Sequence, residues 1–144
     1  MDYSVIKPGD SGPFSKDDIA DFLFEHLEQY GDKREHIAKC LDYALSNKEG
    51  QGGFIAVASE KGRILGVVVI NETGMGGYIP ENILVYIAVH ADTRGKGVGR
   101  SLMVHAIEHT TGDIALHVEP DNPAARLYRK IGFTSKYLEM RYHK

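Results

Sequence analysis

Arg94-Gly95-Lys96-Gly97-Val98-Gly99-Arg100 is preceded by the apolar run Leu84-Val85-Tyr86-Ile87-Ala88-Val89 and followed by a helical pattern from Ser101 to Thr110. The order is strand, glycine loop, helix start. Glycines let successive backbone N–H groups turn toward one anion with no Cβ in the way, and the helix behind adds the positive end of its dipole. Arg94, Lys96 and Arg100 bring cationic charge to the same place. The stretch therefore reads as a seat for a phosphorylated ligand.

Spacing decides among the families that build such loops. A P-loop needs four residues between its first glycine and a Gly-Lys-Ser/Thr, whereas Lys96 is followed by Gly97 and no hydroxyl waits for magnesium. A dinucleotide fingerprint, Gly-x-Gly-x-x-Gly, would put its third glycine on Arg100 counted from Gly95, or on Leu102 counted from Gly97. Glu119 does lie about twenty residues beyond the loop, where that fold places its ribose-binding acid. Against it, His90 to Arg94 separate the strand from the glycines, and the chain is short for the remaining strand and helix pairs.

The pattern that fits is Arg-x-x-Gly-x-Gly, Arg94 to Gly99, with Ile87-Ala88-Val89 before it and Asn122-Pro123-Ala124-Ala125-Arg126-Leu127-Tyr128-Arg129-Lys130-Ile131-Gly132-Phe133 after it. Together these segments resemble the GNAT superfamily of N-acetyltransferases. The first resembles that family's acetyl-CoA pyrophosphate loop; the second resembles its Asn-x-x-Ala-x-x-Leu-Tyr-x-x-x-Gly-Phe segment, which carries a catalytic tyrosine. Registered on Leu127-Tyr128, Ala124 takes the alanine place and Asp121, not Asn122, the asparagine place. The close resemblance covers Leu84 to Phe133.

The resemblance implies an acetyl-CoA-dependent N-acetyltransferase working by direct transfer in a ternary complex, with no metal. Arg94 and the backbone N–H groups of Gly95, Lys96, Gly97, Val98, Gly99 and Arg100 would grip the pyrophosphate of acetyl-CoA. Its pantetheine arm would run beside Ile87, Ala88 and Val89, where the strand splays from its parallel neighbour and a backbone donor forms an oxyanion hole. Tyr128 would be the general acid toward the leaving thiolate, although its place beside Leu127 and Ile131 also suits a core aromatic. Asn122 serves as helix cap or cofactor contact, and the shifted register favours the cap. Arg129 and Lys130 reach toward an adenosine phosphate or simply solvate a helix face.

The acceptor amine must lose a proton before it attacks. His117, in Leu116-His117-Val118, is the first candidate base because an unperturbed imidazole titrates near neutrality; an ordinary polar strand residue is the plain alternative. Glu119 shares its face, and Glu81 and Tyr86 are weaker candidates. Asp17, Asp18, Asp21, Glu25 and Glu28 make the first helix acidic, which would draw a cationic amine toward an acceptor site bordered by that helix. A small primary amine is the expected acceptor, with a peptide N-terminus as the other choice. The alternative function is a non-catalytic acyl-CoA-binding sensor or regulatory module.

Two further patterns carry less. His105-Ala106-Ile107-Glu108-His109 matches a zinc pattern, but no third ligand is identifiable. His36 and Cys40, one helical turn apart, read as packing and surface rather than base and nucleophile.

A chain of 144 residues with 42% hydrophobic and 26% charged content suits one domain, expected over 1–144. Its single cysteine forbids an internal disulfide and agrees with a reducing cytoplasm, as does an N-terminus without a secretory pattern. A net charge of −3 argues against nucleic acid as partner, and no apolar run suits a membrane. Homodimer pairing through the last strand is a further expectation from the resemblance.

Along the chain, Tyr3 to Ile6 reads as a strand, and Ser15 with Asp18 caps a first helix that Gly31 breaks. Asp32 with Glu35 offers the cap of a second helix ending before Gly50. Phe54 to Ala58 and Ile64 to Ile70 form a hairpin across Glu60-Lys61-Gly62, and Ile83 to Val89 a further strand. Ile114, Leu116 and Val118 alternate as a strand, Asn122-Pro123 opens a helix that Gly132 ends, and Leu138, Met140 and Tyr142 alternate along a final strand. The fold class is mixed α/β: a mostly antiparallel sheet of six to seven strands with about four helices and a splayed parallel pair at the cofactor site.

Overall fold

Strands β1 (Asp2–Ile6), β2 (Gly53–Glu60), β3 (Arg63–Glu72), β4 (Asn82–Val89) and β5 (Ile114–Leu116) lie side by side in chain order in one sheet. The computed structural model describes residues 1–144. The first four strands are mutually antiparallel, and β5 joins β4 in parallel. Helices α1 (Lys16–His26) and α2 (Arg34–Ala44) precede β2, α3 (Val98–Glu108) connects β4 to β5, and α4 (Ala124–Ile131) follows β5.

The central hairpin forms because its strands are apolar on both faces and its turn can reverse. Lys61 and Gly62 both take positive φ, 51° and 76°, the geometry that matches the twist of a two-residue hairpin. Ile55, Val57, Val67 and Val69 pack with Ile19, Leu23, Ile37 and Leu41 of α1 and α2. On the opposite face, Phe54, Ala56, Val68 and Ile70 pack with Leu102, Met103 and Ala106 of α3 and with Tyr128 of α4. Strands covered on both sides carry near-continuous apolar runs, as β2 and β3 do. The paired clusters hold the α3 N-terminus at the end of β4, beside the glycine loop.

Several local expectations are met with shifted bounds. Ser15 caps α1, its Oγ accepting the Asp18 N–H at 3.1 Å. The helix ends at His26, before Gly31, and the chain then makes a 3-10 turn over Glu28–Tyr30. Asp32 does not cap α2: the residue before that helix is Lys33, with no side-chain cap, and Asp32 instead accepts the Tyr86 hydroxyl. Helix α3 starts at Val98, inside the glycine loop rather than at Ser101, because Gly97 at φ +79° turns the chain directly into the helix.

The sheet has five strands, not six or seven. Strand β5 stops at Leu116 instead of running to Val118, and the segment from 134 to 144 forms no strand. Alternation gives a segment two faces but supplies neither a partner edge nor a core. Leu138, Met140 and Tyr142 find neither within their own chain and stand almost wholly exposed.

Gly53 opens β2 at φ +142°, and a Cβ there would lie 1.9 Å from the Ile70 carbonyl oxygen. Gly53→Ala is expected to cost about 3 kcal/mol or more through combined clash and backbone strain, read as a lowered midpoint in denaturant unfolding.

Candidate active site

The pairing of β4 with β5 covers Asn82↔Ile114, Ile83↔Ala115 and Leu84↔Leu116 and then stops. At the same point β4 carries a bulge: Val69 faces Tyr86 while Ile70 faces Leu84, which leaves Val85 as the extra residue. From Val85 onward the outer edge of β4 has no strand neighbour. A groove of about 310 Å³ fills the gap, with Leu84 to Ile87 and Val89 on one wall and His117, Asn122 to Ala124, Leu127 and Tyr128 on the other. Glu28, Tyr30 and Arg94 close one end. A larger polar cleft of about 680 Å³ lies at the opposite end of the sheet, around Gly52, Glu72 and Asn82, and no residue of the glycine loop or of the Asn122 to Phe133 segment lines it.

The glycine loop sits at the end of this groove. Gly95 and Gly97 take φ +82° and +79°, and the Arg94 and Lys96 N–H groups turn back to the carbonyls of Ala91 and Thr93. The N–H groups of Val98, Gly99 and Arg100 lie in the first helical turn, where no intrahelical carbonyl is available, and no side chain caps the helix. Gly99 presses against the strand: a Cβ there would lie 3.3 Å from Val89 Cγ2 and 3.5 Å from Leu127 Cδ2. These free amides and the helix dipole form an anion seat whose backbone is directly accessible.

Arg94 is engaged elsewhere. Its Nη1 donates to Glu28 Oε1 at 3.0 Å and its Nη2 to the His26 carbonyl at 3.1 Å, tying the glycine loop to the turn after α1. Glu28 is held at φ +55°, unusual for a residue with a side chain. His26 stacks on His90 with ring centroids 4.3 Å apart. Burial, then the neighbouring His90, lowers the His26 pKa, so the stack avoids two adjacent cations.

Tyr128 is buried, and that burial pushes its phenol up to about 12. Its ring packs on Phe133 while the residue lines the groove. His117 follows β5 directly, is exposed, and lines the same groove. Across the mouth, the Tyr30 hydroxyl donates to the Asp121 carbonyl at 3.4 Å. Asn122 Oδ1 accepts the Ala124 N–H at 2.9 Å, so its side chain caps α4 one residue earlier than the assigned boundary.

Other candidates fall outside this constellation. Ala88 faces the α1–α2 core and Val98 the α3 core, leaving only their backbone for a ligand. Glu81 is at the far cleft, where its carboxylate accepts the Asp113 N–H at 2.7 Å; that hydrogen bond is the main reason its pKa is lowered. Tyr86 lines the groove, but burial and its bond to Asp32 raise its pKa, so it is held protonated. Glu119 is exposed and does not line the groove. Cys40, pushed up to about 11 by burial, is a packed thiol. His105 and His109 stack at 4.4 Å, and no group of three or more metal-ligating side chains assembles.

The acidic first helix also needs correction. Asp21 and Asp17 pair with Arg34 of α2 at 2.8 and 3.7 Å, and only Glu28, just beyond the helix, reaches the groove. Tyr30 was missed altogether, because nothing in its neighbours' periodicity marks a residue of a single 3-10 turn.

A family model described as the acetyltransferase (GNAT) domain matches residues 51–135. A 5-NmdU N-acetyltransferase of Pseudomonas phage PaMx11 is 34% identical over 84 residues, which cover 57% of this chain and 58% of the phage protein. A mycothiol acetyltransferase of Saccharomonospora viridis is 30% identical over 100 residues, covering 62% of this chain and 32% of that protein. The matches thus span less than two thirds of either relative. A ribosomal-protein-alanine N-acetyltransferase from Brucella melitensis superposes with a TM-score of 0.65 at 17% identity, covering 100% of both chains. A probable acetyltransferase of known structure gives 0.70 at 23% identity, covering 100% of this chain and 97% of its own. Both structures share the fold.

The raised pKa of Tyr128 has a sign that can be checked. A phenol held above its unfolded value of about 10 contributes stability that is complete below that pH and is lost as pH climbs toward 12. Tyr128→Phe, which cannot ionise, should shrink the fall in unfolding midpoint between about pH 9.5 and 11.5.

Proposed function

Because the chain belongs to the GNAT acetyltransferase family, we propose that it moves an acetyl group from acetyl-CoA to a primary amine, a small molecule in preference to a peptide N-terminus, by direct attack in a ternary complex. The observation that carries this reading is the juxtaposition of the uncapped α3 amides with the groove where β4 and β5 part. The residues fit the cosubstrate. An anion seat without a capping side chain suits the pyrophosphate, and an unpaired strand edge suits an amide-bearing arm lying alongside it. Bound there, acetyl-CoA supplies the activated acyl group as a thioester.

The backbone N–H groups of Val98, Gly99 and Arg100 hold the diphosphate, and the side chains of Lys96 and Arg100 add charge at the rim. Arg94 works through position: its bonds to Glu28 and the His26 carbonyl hold the wall of the groove against the loop. The edge of β4 from Val85 to Val89 receives the arm, and a backbone N–H there stabilises charge developing on the acyl oxygen.

Tyr128 donates a hydrogen bond to the departing sulfur. A phenol at about 12 is a much weaker acid than an ordinary thiol at about 8.5, so it steadies the thiolate rather than surrendering its proton at neutral pH. His117, across the groove mouth, takes the proton of the incoming ammonium, directly or through water. The walls favour a small acceptor, since about 310 Å³ is modest for a space shared by cosubstrate arm and amine. The Glu28 carboxylate, although paired with Arg94, lines the groove end and offers a hydrogen-bond acceptor to an amine there. The relatives bear different acceptor names, so the acceptor class rests on this groove.

The test is transfer of labelled acetyl from acetyl-CoA across a panel of small amines and peptides, alongside calorimetric titration with CoA. Small amines should be modified and CoA should bind; binding without transfer to any amine would favour a non-catalytic acyl-CoA sensor. Tyr128→Phe should lower kcat by roughly 10- to 100-fold while the CoA dissociation constant stays within about twofold. His117→Ala should remove the acidic limb of the kcat/KM profile, and an unchanged limb would assign the base elsewhere.

A further inference from the structure

The polar cleft at the far end of the sheet, about 680 Å³, has the size of a small-ligand site and shares no lining residue with the groove. It crosses the sheet instead of following one strand. Lys7 follows β1, Gly53 opens β2, Glu72 ends β3 and Asn82 begins β4, and these strands stand side by side in that order.

Asn82 is the buried polar group of the cleft, only 4% exposed. Its Nδ2 donates to the carbonyls of Thr111 at 2.7 Å and Asp113 at 3.2 Å, while its Oδ1 accepts from no donor of the chain. The sealed polar atoms without a partner are Ser4 Oγ, Asn71 Oδ1 and His105 Nε2, so the Asn82 oxygen keeps an opening to the cleft. A buried amide with one end unspent calls for a donor from outside. His109 adds a second acceptor on that side: its Nδ1–H goes to the His105 carbonyl at 2.9 Å, which leaves Nε2 of the neutral ring bare.

Charges of both signs face the same space without pairing. Lys7 extends from the end of β1 and Lys48 from the loop leading into β2; Glu72 stands across the sheet from Lys7, beside Asn82, and every ion pair of the molecule lies elsewhere. A wholly anionic ligand would meet Glu72, and a wholly cationic one would meet the lysines. A stacking ligand finds no aromatic face, because Phe54 is 5% exposed. Between the charged ends, the Gln51 side-chain amide and the bare backbone at Gly52, Gly74 and Gly76 offer both donors and acceptors.

We propose that this cleft binds a short zwitterionic peptide, its ammonium end on Glu72 and the Asn82 oxygen and its carboxylate end on Lys7 and Lys48. From β1 to β3 or β4 is two or three strand spacings, about 10–14 Å. An extended peptide of roughly three or four residues spans that distance. The bare glycine backbone and the scarcity of apolar lining favour small side chains.

The probe is a ladder of glycine oligomers with free termini, from one to about six residues, titrated into the nitrogen-15-labelled full chain saturated with CoA. The Asn82 side-chain amide and the Gln51 and Gly74 signals should move saturably, with the tightest binding at about three or four residues. Acetylating the amino end should weaken binding roughly two- to fivefold in the parent chain and not in Glu72→Gln; amidating the carboxyl end should do so in the parent and not in Lys7→Gln. Both substituted side chains are exposed, so the remaining spectrum should match the parent and report an intact fold. No saturable shift at the cleft up to about 10 mM peptide, binding indifferent to length and to both blocked termini, or shifts confined to the groove would each overturn the proposal. None of these readouts depends on acetyl transfer, so failure here and failure of the acetyltransferase reading are distinguishable.

Discussion

The parting of β4 from β5 after Leu84 and Leu116 is the constraint on which the rest of this molecule depends. A continuous sheet would bond the outer edge of Val85 to Val89 to a neighbour and leave no place for a ligand. Here the bulge at Val85 bends β4 away, and Pro120 to Pro123 carry the chain from β5 into α4. The two apolar layers make the gap rigid: Leu102 and Met103 pin α3 to one face of the sheet, while Ile37 and Leu41 pin α2 to the other. A gap held by close-packed layers resists collapse and keeps its backbone edge exposed.

Several of the charges around this gap are paired. Arg34 neutralises Asp17 and Asp21, and Arg94 neutralises Glu28. The Arg94 pair joins the turn after α1 to the glycine loop, linking the wall of the groove to the seat for the anion. Burial keeps the Tyr128 phenol and the Cys40 thiol protonated for the same reason, the cost of an unpaired charge in an apolar place. The difference is location: Tyr128 opens onto the groove, while Cys40 lies on α2 with its thiol beside Asn71.

Much of the fold is legible in local patterns. The capping of α1 by Ser15, the hairpin at Lys61-Gly62 and the termination of α4 at Gly132 follow from residues a few positions apart. The loop from Arg94 to Arg100 is legible for the same reason, since its glycines act through their own backbone. What was misread depends on distant partners. Asp32 resembles a helix cap until Tyr86 competes for its carboxylate, and the tie from Arg94 to Glu28 of the turn after α1 has no sign in the local sequence. Glu81 resembles a free acid, yet it is bonded to the backbone of Asp113. Leu138, Met140 and Tyr142 resemble an inner strand, but alternation does not say whose edge they meet.

The amino-acid order by itself determined most of the element types, the hairpin of β2 and β3, and the family resemblance carried by the glycine loop with its following tyrosine segment, because each rests on short-range periodicity or backbone freedom. Only the tertiary structure decided where β4 and β5 separate, which of the acidic residues reaches the groove, that Tyr30 and Glu28 wall it, and that the tail stands apart from the sheet. Those outcomes depend on competition among partners far apart in the chain, and a side chain's preference for a partner is fixed only when folding sets the distances between all of them.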